Sequence, residues 1–194
     1  MSWTIPNILT LIRIILIPVL VIVFYVPGQW SYQLSAAIFG IAALTDLLDG
    51  YLARRLNQLS AFGAFLDPVA DKLMVAVALV LLVQDNPSPL FAIPAAIIIG
   101  REIAISALRE WMSEIGARTK VAVSIIGKLK TTLQMIAILL LLFKMPLAGF
   151  PTHGVGLALL YIAAVLTLWS MIVYMHAAWP LLSGKTENPP ENGA

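Results

Sequence analysis

Four aspartates lie close together in a chain that is otherwise largely apolar: Asp46, Asp49, Asp67 and Asp71. Carboxylates three or four residues apart point the same way from an α-helix, so each pair predicts one acidic helix face. Two such helices side by side would form a cage of hard oxygen ligands, which suits Mg²⁺, Mn²⁺ or Ca²⁺. Ionisable side chains are costly inside apolar segments, so four of them indicate a functional site.

Small residues accompany both acidic faces. Gly50 and Ala53 continue the face of the first pair, and Gly63 begins the face that carries the second pair. Residues of this size leave room for a ligand to approach the backbone. Because the connection between the two segments is short, we expect antiparallel neighbouring helices with both acidic faces at the same end.

The composition is that of an integral membrane protein. Hydrophobic residues make up 60% of the 194 and charged residues only 11%, about half the charged share of a soluble domain; the mean hydropathy is +0.93. The absence of cysteine excludes disulfides, thiolate metal sites and cysteine nucleophiles. A net charge of +2 gives no reason to expect a nucleic-acid partner.

Apolar runs separated by short polar or Pro/Gly-containing breaks predict six transmembrane helices. The predicted spans are 7–27, 32–54, 62–84, 88–110, 119–143 and 154–178. They would form one all-α domain over residues 1–182, followed by a disordered polar tail at 183–194. Arg13 interrupts the first apolar run, so this run is not predicted to be a cleaved signal peptide.

The positions of lysine and arginine predict the orientation in the membrane. The loops and span ends on one side hold Arg54, Arg55, Arg109, Arg118 and Lys120, whereas the opposite loops offer only Lys144. The positive-inside rule therefore places both termini in the cytoplasm. The charges within the spans all fall in the cytoplasmic half of their helices: Arg13, Asp46, Asp49, Asp67, Asp71, Lys72, Arg101, Glu102, Lys128 and Lys130. This sorting predicts a polar cavity that opens to the cytoplasmic side.

Two other interpretations of the acidic pairs remain open at this point. The aspartates could form buried salt bridges with Arg54, Arg55 and Lys72. They could also be the cation or proton site of a membrane transporter. Transporters commonly carry internal repeats and helices broken at mid-membrane, whereas the acidic motif occurs once here and the charge is confined to one half of the membrane.

The full pattern from Asp46 to Asp71 resembles the signature of the CDP-alcohol phosphotransferases. It reads D-x-x-D-G-x-x-A-R, eight residues, and then G-x-x-x-D-x-x-x-D, with every defining position filled. Further stretches are similar to the bacterial branch of that family whose acceptor is sn-glycerol 3-phosphate: 5–13, 62–72, 101–103, 107–111, 121–124 and 127–132. The similarity covers nearly all of residues 4–178.

The resemblance implies a six-helix protein, usually a homodimer, in the bacterial cytoplasmic (inner) membrane. The family transfers a phosphatidyl group from CDP-diacylglycerol to an alcohol and releases CMP. It implies two divalent ions, Mg²⁺ or Mn²⁺, held by Asp46, Asp49, Asp67 and Asp71, with Asp71 also the catalytic base. The implied contacts to CDP-diacylglycerol are Asn7, Thr10, Arg13, Gly50, Ala53, Arg54, Ser60 and Gly63.

The acceptor implied by the resemblance is sn-glycerol 3-phosphate, with inositol phosphate or phosphatidylglycerol as alternatives. The basic residues predicted to bind the acceptor phosphate are Arg118, Lys128, Arg109 and Lys130. Lys128 shares a helix face with polar residues, whereas Lys130 is predicted to extend towards lipid headgroups. Arg101 has two interpretations, a further ligand of the acceptor phosphate or a buried ion pair with Glu102.

Overall fold

The computed structural model describes residues 5–28, 30–56, 61–115, 125–146 and 149–183. These residues form six α-helices: α1 (Ile5–Tyr25), α2 (Ser31–Leu56), α3 (Ala61–Asp85), α4 (Pro89–Glu114), α5 (Ile125–Phe143) and α6 (Thr152–Leu182). The predicted all-helical architecture is confirmed. Three of the helices, α2, α4 and α6, run a few residues past the predicted ends, because hydropathy marks the apolar run whereas the backbone hydrogen bonding continues beyond it.

The helices pack around one apolar core to which all six contribute. α1 packs against α2 and α3, α5 packs against α6 and α2, and α4 packs against α6 and α3. Each helix contributes a side chain that is at most 1% exposed: Leu20, Phe39, Leu79, Ile98, Leu142 and Leu160. This core holds α2, α3 and α5 together, and these are the helices that carry most of the predicted site.

α5 and α6 approach most closely at Gly156. A Cβ atom added there would lie 2.9 Å from Leu141 Cγ and 3.2 Å from Leu140 Cβ. Distances this short leave no space for any side chain at this position. The glycine at position 156 therefore allows α5 and α6 to pack at this short separation.

Three helices are long and apolar enough to cross a membrane within the described ranges, namely Asn7–Tyr25, Pro89–Glu114 and Thr152–Trp179. The described surface also exposes large apolar side chains such as Ile15, Trp30 and Val165, each at least 60% exposed. Such a surface is typical of a chain solvated by lipid. α2 and α3 carry the acidic motif, which lowers their hydropathy, and the apolar part of α5 is the shorter segment Leu129–Phe143. The insertion of these three helices remains a prediction.

A polar cluster joins three helices at the end of α3 remote from the acidic motif. Lys144 directly follows α5, and its Nζ lies 2.8 Å from Asp85 Oδ2 and 3.2 Å from the hydroxyl of Tyr32. Burial by itself lowers the pKa of Lys144, but the hydrogen bonds to Asp85 and Tyr32 outweigh it, so that the pKa is raised above its ordinary value. The ammonium group therefore stays charged and ties α5 to α3 and α2.

Candidate active site

α1 contributes a buried polar face to the site. Asn7, Thr10 and Arg13 follow one another at three-residue spacing and are 5%, 0% and 1% exposed. The hydroxyl of Thr10 donates a hydrogen bond to Asp67, and the guanidinium of Arg13 donates one to Asp71. Two of the predicted nucleotide contacts are thus bound to the acidic motif itself.

Arg13 also joins the two acidic helices. Its Nη1 lies 3.2 Å from Asp46 Oδ1 on α2 while it is bound to Asp71 on α3. The salt-bridge interpretation predicted Arg54, Arg55 and Lys72 as the partners of the aspartates. Lys72 makes no ion pair within the described part of the chain, and the side chains of Arg54 and Arg55 lie outside it.

A cavity of about 280 Å³ opens between α2, α3, α4 and α5. Its acidic lining consists of Asp46, Asp67, Asp71 and Glu102. Three of the four predicted metal ligands therefore meet at one cavity. The structure describes the α2 backbone at Asp49, Gly50, Ala53 and Arg54 but not their surroundings, and Ser60 lies outside the described residues. Gly63, at the start of α3, is buried.

Basic and polar side chains line the same cavity. They are Lys72, Lys130, Thr131 and Gln134. The sequence interpretation named Lys72 and Glu102 among the charges of the cytoplasmic halves but assigned no substrate contact to them, and it did not consider Gln134. The signal that could have identified Gln134 is its place as an amide within the long apolar run of α5.

Lys130 is 4% exposed, so the prediction that it extends to lipid headgroups is wrong. Its Nζ lies 2.6 Å from Glu102 Oε1, and Arg101 Nη1 lies 3.0 Å from the same oxygen. Arg101 also donates to Ser170 Oγ at 3.1 Å. Burying the charged tip of Lys130 is tolerable because the Glu102 carboxylate pairs with it. The predicted Arg101–Glu102 pair is confirmed, with Lys130 as an additional partner.

The other predicted phosphate ligands are not brought to the cavity by the described contacts. Arg109 is exposed, donates a hydrogen bond to the hydroxyl of Tyr174, and lies over that ring with Cζ 4.9 Å from its centre. Arg118 lies outside the described residues, as does the side chain of Lys128. Lys130 is therefore the predicted phosphate ligand that lines the cavity within the described part of the chain.

The donor chemistry of the site suits a divalent cation, although the described side chains do not form a finished coordination sphere. No three carboxylates or imidazoles among the described residues are grouped so that they could hold a metal ion. The guanidinium of Arg13 lies between Asp46 and Asp71 and balances their negative charge. Carboxylate oxygens are nonetheless the ligands that Mg²⁺ and Mn²⁺ prefer.

An apolar groove leads away from the acidic cavity along the seam between α2 and α5. A second cavity of about 350 Å³ shares Asp46, Thr131 and Met135 with the first. A third, of about 660 Å³, shares Gly40 and other residues of the seam with the second and reaches Gln33. From Asp46 to Gln33 the groove follows α2 for about 20 Å at 1.5 Å per residue.

The sequence pattern that defines the CDP-alcohol phosphatidyltransferase family matches residues 3–169. The chain therefore belongs to this family. It is 56% identical to the CDP-diacylglycerol–glycerol-3-phosphate 3-phosphatidyltransferase of Salmonella choleraesuis (strain SC-B67), over 92% of this chain and 96% of the relative. The proteins of the same description from Shigella flexneri and Escherichia coli (strain K12) are 56% and 55% identical over the same shares. Membership of this family excludes the transporter interpretation.

Proposed function

We propose that this chain transfers the phosphatidyl group of CDP-diacylglycerol to sn-glycerol 3-phosphate, giving phosphatidylglycerophosphate and CMP. The product serves the synthesis of phosphatidylglycerol and cardiolipin. The identity of more than half of the residues to relatives described by this reaction supports the substrates. The single structural observation that carries the proposal is the cavity in which three motif aspartates meet two lysines.

The catalytic base is Asp71. The primary hydroxyl of the acceptor, at the end remote from its phosphate, attacks the phosphorus that bears the diacylglycerol. A new O–P bond forms, the P–O bond to CMP breaks, and the hydroxyl proton passes to the Asp71 carboxylate. Arg13, bound to Asp71, fixes the orientation of that carboxylate before the acceptor arrives.

The residues that would hold two divalent ions, Mg²⁺ or Mn²⁺, are Asp46, Asp49, Asp67 and Asp71. When bound, such ions neutralise the diphosphate of the lipid substrate. Thr10 orients Asp67 through its hydrogen bond, so α1 positions two members of this set. Asn7, Arg13, Gly50, Ala53, Arg54, Ser60 and Gly63 are proposed to contact CDP-diacylglycerol together with Thr10.

The acceptor phosphate binds at the basic wall of the cavity. Lys130 lines this wall, and Lys72 lines it as well. Two ammonium groups in a partly dehydrated cavity attract a phosphate more strongly than they would in water. Arg118, Lys128 and Arg109 remain proposed contributors from outside the described cavity wall.

One acyl chain of the lipid substrate lies in the groove between α2 and α5. The groove is continuous with the acidic cavity through Asp46, and its walls are otherwise largely apolar. Its length of about 20 Å exceeds the roughly 15 Å thickness of one hydrocarbon leaflet, so it can take a complete chain. This placement leaves the diphosphate beside the aspartates.

The enzyme is placed in the bacterial inner membrane, with both termini and the cavity mouth on the cytoplasmic side. The excess of lysine and arginine on that side supports the orientation. The soluble acceptor and the nucleotide headgroup of the lipid substrate would then both reach the site from the cytoplasm. The active unit is proposed to be a homodimer, as the family resemblance implies.

A purified-protein assay tests the function. CMP release is measured with CDP-diacylglycerol, Mg²⁺ or Mn²⁺, and one acceptor at a time. The acceptors are sn-glycerol 3-phosphate, glycerol, inositol phosphate and phosphatidylglycerol. We expect release to depend on sn-glycerol 3-phosphate. Release with a different acceptor alone would transfer the proposal to that acceptor.

A further inference from the structure

Gln134 is a buried polar side chain without a hydrogen-bond partner in the described part of the chain. It is 4% exposed, and its Oε1 accepts no hydrogen bond. Its amide also donates none to the described part of the chain. A buried amide without partners costs free energy, typically about 1–3 kcal/mol, unless something else binds it. Buried polar groups are normally hydrogen-bonded, so the unpartnered oxygen of Gln134 requires an explanation.

The position of Gln134 identifies what could bind it. Gln134 lines the acidic cavity, and it follows Lys130 on α5 by four residues, one helical turn of about 6 Å along the same face. Asp71 lines the same cavity from α3. The amide thus lines the cavity that holds both the proposed base and a proposed phosphate ligand.

A small neutral hydroxyl fits this amide better than a charged group. The two ends of the amide exchange by a half-turn about the terminal torsion, which is broad and roughly two-fold in glutamine. A hydroxyl both donates and accepts, so it can pair with either end. In sn-glycerol 3-phosphate the central hydroxyl lies between the attacking hydroxyl and the phosphate.

We infer that Gln134 is a positioning residue that binds the central hydroxyl of the glycerol phosphate acceptor. This assignment rests on the proposed function. With the phosphate at the basic wall and the central hydroxyl on Gln134, the remaining hydroxyl is directed to Asp71. A site that leaves a polar group unmatched rejects analogues lacking the hydroxyl, so Gln134 determines acceptor specificity.

The test compares two acceptors, sn-glycerol 3-phosphate and 3-hydroxypropyl phosphate, which lacks only the central hydroxyl. Wild-type enzyme should prefer the former in kcat/KM by about tenfold, the equivalent of one buried hydrogen bond. Gln134→Met keeps the approximate shape and removes the amide. This variant should lower kcat/KM for sn-glycerol 3-phosphate about tenfold, mainly by raising KM. Its kcat/KM for 3-hydroxypropyl phosphate should equal that of wild type.

Stability separates this role from a structural one. Because the Gln134 side chain makes no hydrogen bond to the residues that the structure describes, Gln134→Met should unfold at the same temperature as wild type or higher. The matched control is Gln84→Met, since Gln84 lies on α3 but lines none of the three cavities, and its amide oxygen accepts a hydrogen bond from Tyr25. The control should keep the wild-type preference between the two acceptors.

The outcomes are distinguishable. If wild type uses neither acceptor, the proposed function fails. Suppose that wild type uses sn-glycerol 3-phosphate, but Gln134→Met keeps the wild-type preference or lowers kcat/KM equally for both acceptors. The assignment of Gln134 is then wrong while the function stands. A fall in unfolding temperature with an unchanged preference also rejects the assignment in favour of packing.

Discussion

Arg13, only 1% exposed, is bound to Asp71, the carboxylate proposed as the catalytic base. The same guanidinium lies 3.2 Å from Asp46 on the neighbouring helix. One cation from α1 therefore balances carboxylates from both acidic helices. A divalent ion that binds these carboxylates would also balance their charge. Arg13 and the ion should therefore stabilise the folded state through the same interaction, the neutralisation of Asp46 and Asp71.

Replacing Arg13 by methionine should expose this relationship. The variant removes the cation that pairs with Asp46 and Asp71. Because these carboxylates are 31% and 36% exposed, we expect a cost of about 1–3 kcal/mol of unfolding free energy. Added Mn²⁺ should then raise the unfolding temperature more in the variant than in wild type. The measurement is thermal unfolding in detergent with and without Mn²⁺.

The control for this experiment is Arg109→Met, because Arg109 is exposed and contacts Tyr174. Its response to Mn²⁺ should match that of wild type. An Arg13 variant that is as stable as wild type without metal, and gains no more from Mn²⁺, would contradict the proposed replacement.

Asp71→Asn should abolish turnover while leaving the fold intact. The amide retains an oxygen that can accept from Arg13 but cannot take the proton of the acceptor hydroxyl. Loss of a general base lowers rates by about 10²- to 10⁴-fold, and loss of a metal ligand adds to this. The measurement is CMP release together with the unfolding temperature.

Asp85→Asn is the matched control for that substitution. Asp85 lies on the same helix but at its other end, where it pairs with Lys144. Its replacement should lower the unfolding temperature and leave kcat unchanged. Equal losses of activity in both variants, or wild-type turnover in Asp71→Asn, would remove the assigned role of Asp71.

The helices and the acidic cavity could be predicted from the sequence because both follow from local patterns. Apolar runs define the helices, and the spacing of Asp46, Asp67 and Asp71 places them on facing stripes. Pairing between distant segments could not be predicted in the same way. Nothing in the local pattern shows that Arg13 binds Asp71 rather than lipid phosphate.

Lys130 illustrates the same limit. A lysine on an apolar helix can extend to the interface or pair inside, and the choice depends on whether a carboxylate from another helix is within reach. Glu102 on α4 provides that carboxylate at 2.6 Å. The unpartnered amide of Gln134 is likewise a property of the assembled wall, which a single helix does not reveal.

Gly40 gives a test of the acyl-chain groove. It lines both cavities of the groove, and a Cβ added there would lie 3.5 Å from Leu139 Cδ1, an ordinary contact. Gly40→Leu should therefore fold while filling the groove. Displacing about two methylenes of a long chain should raise KM for long-chain CDP-diacylglycerol about tenfold. A short-chain analogue that ends before Gly40 should be unaffected.

The control for the groove is Gly100→Leu. Gly100 is exposed on α4, and a Cβ there would meet nothing within 4 Å. This variant should keep the wild-type KM for both chain lengths. If Gly40→Leu changes KM equally for long and short chains, or not at all, the acyl chain lies elsewhere.

Gly156 and Gly154 form a matched pair on α6 that tests the packing of the two last helices. Gly156→Ala would place a Cβ 2.9 Å from Leu141 Cγ, so the leucine side chains of α5 or the helix itself must shift, at a cost of about 1–3 kcal/mol. A Cβ at Gly154 meets nothing within 4 Å, and Gly154→Ala should be neutral or stabilise by up to about 1 kcal/mol. Thermal unfolding in detergent measures the stability of both variants, and equal stability would mean that α6 can shift without disturbing α5. Because α5 carries Lys130 and Gln134, Gly156→Ala should also raise KM for sn-glycerol 3-phosphate.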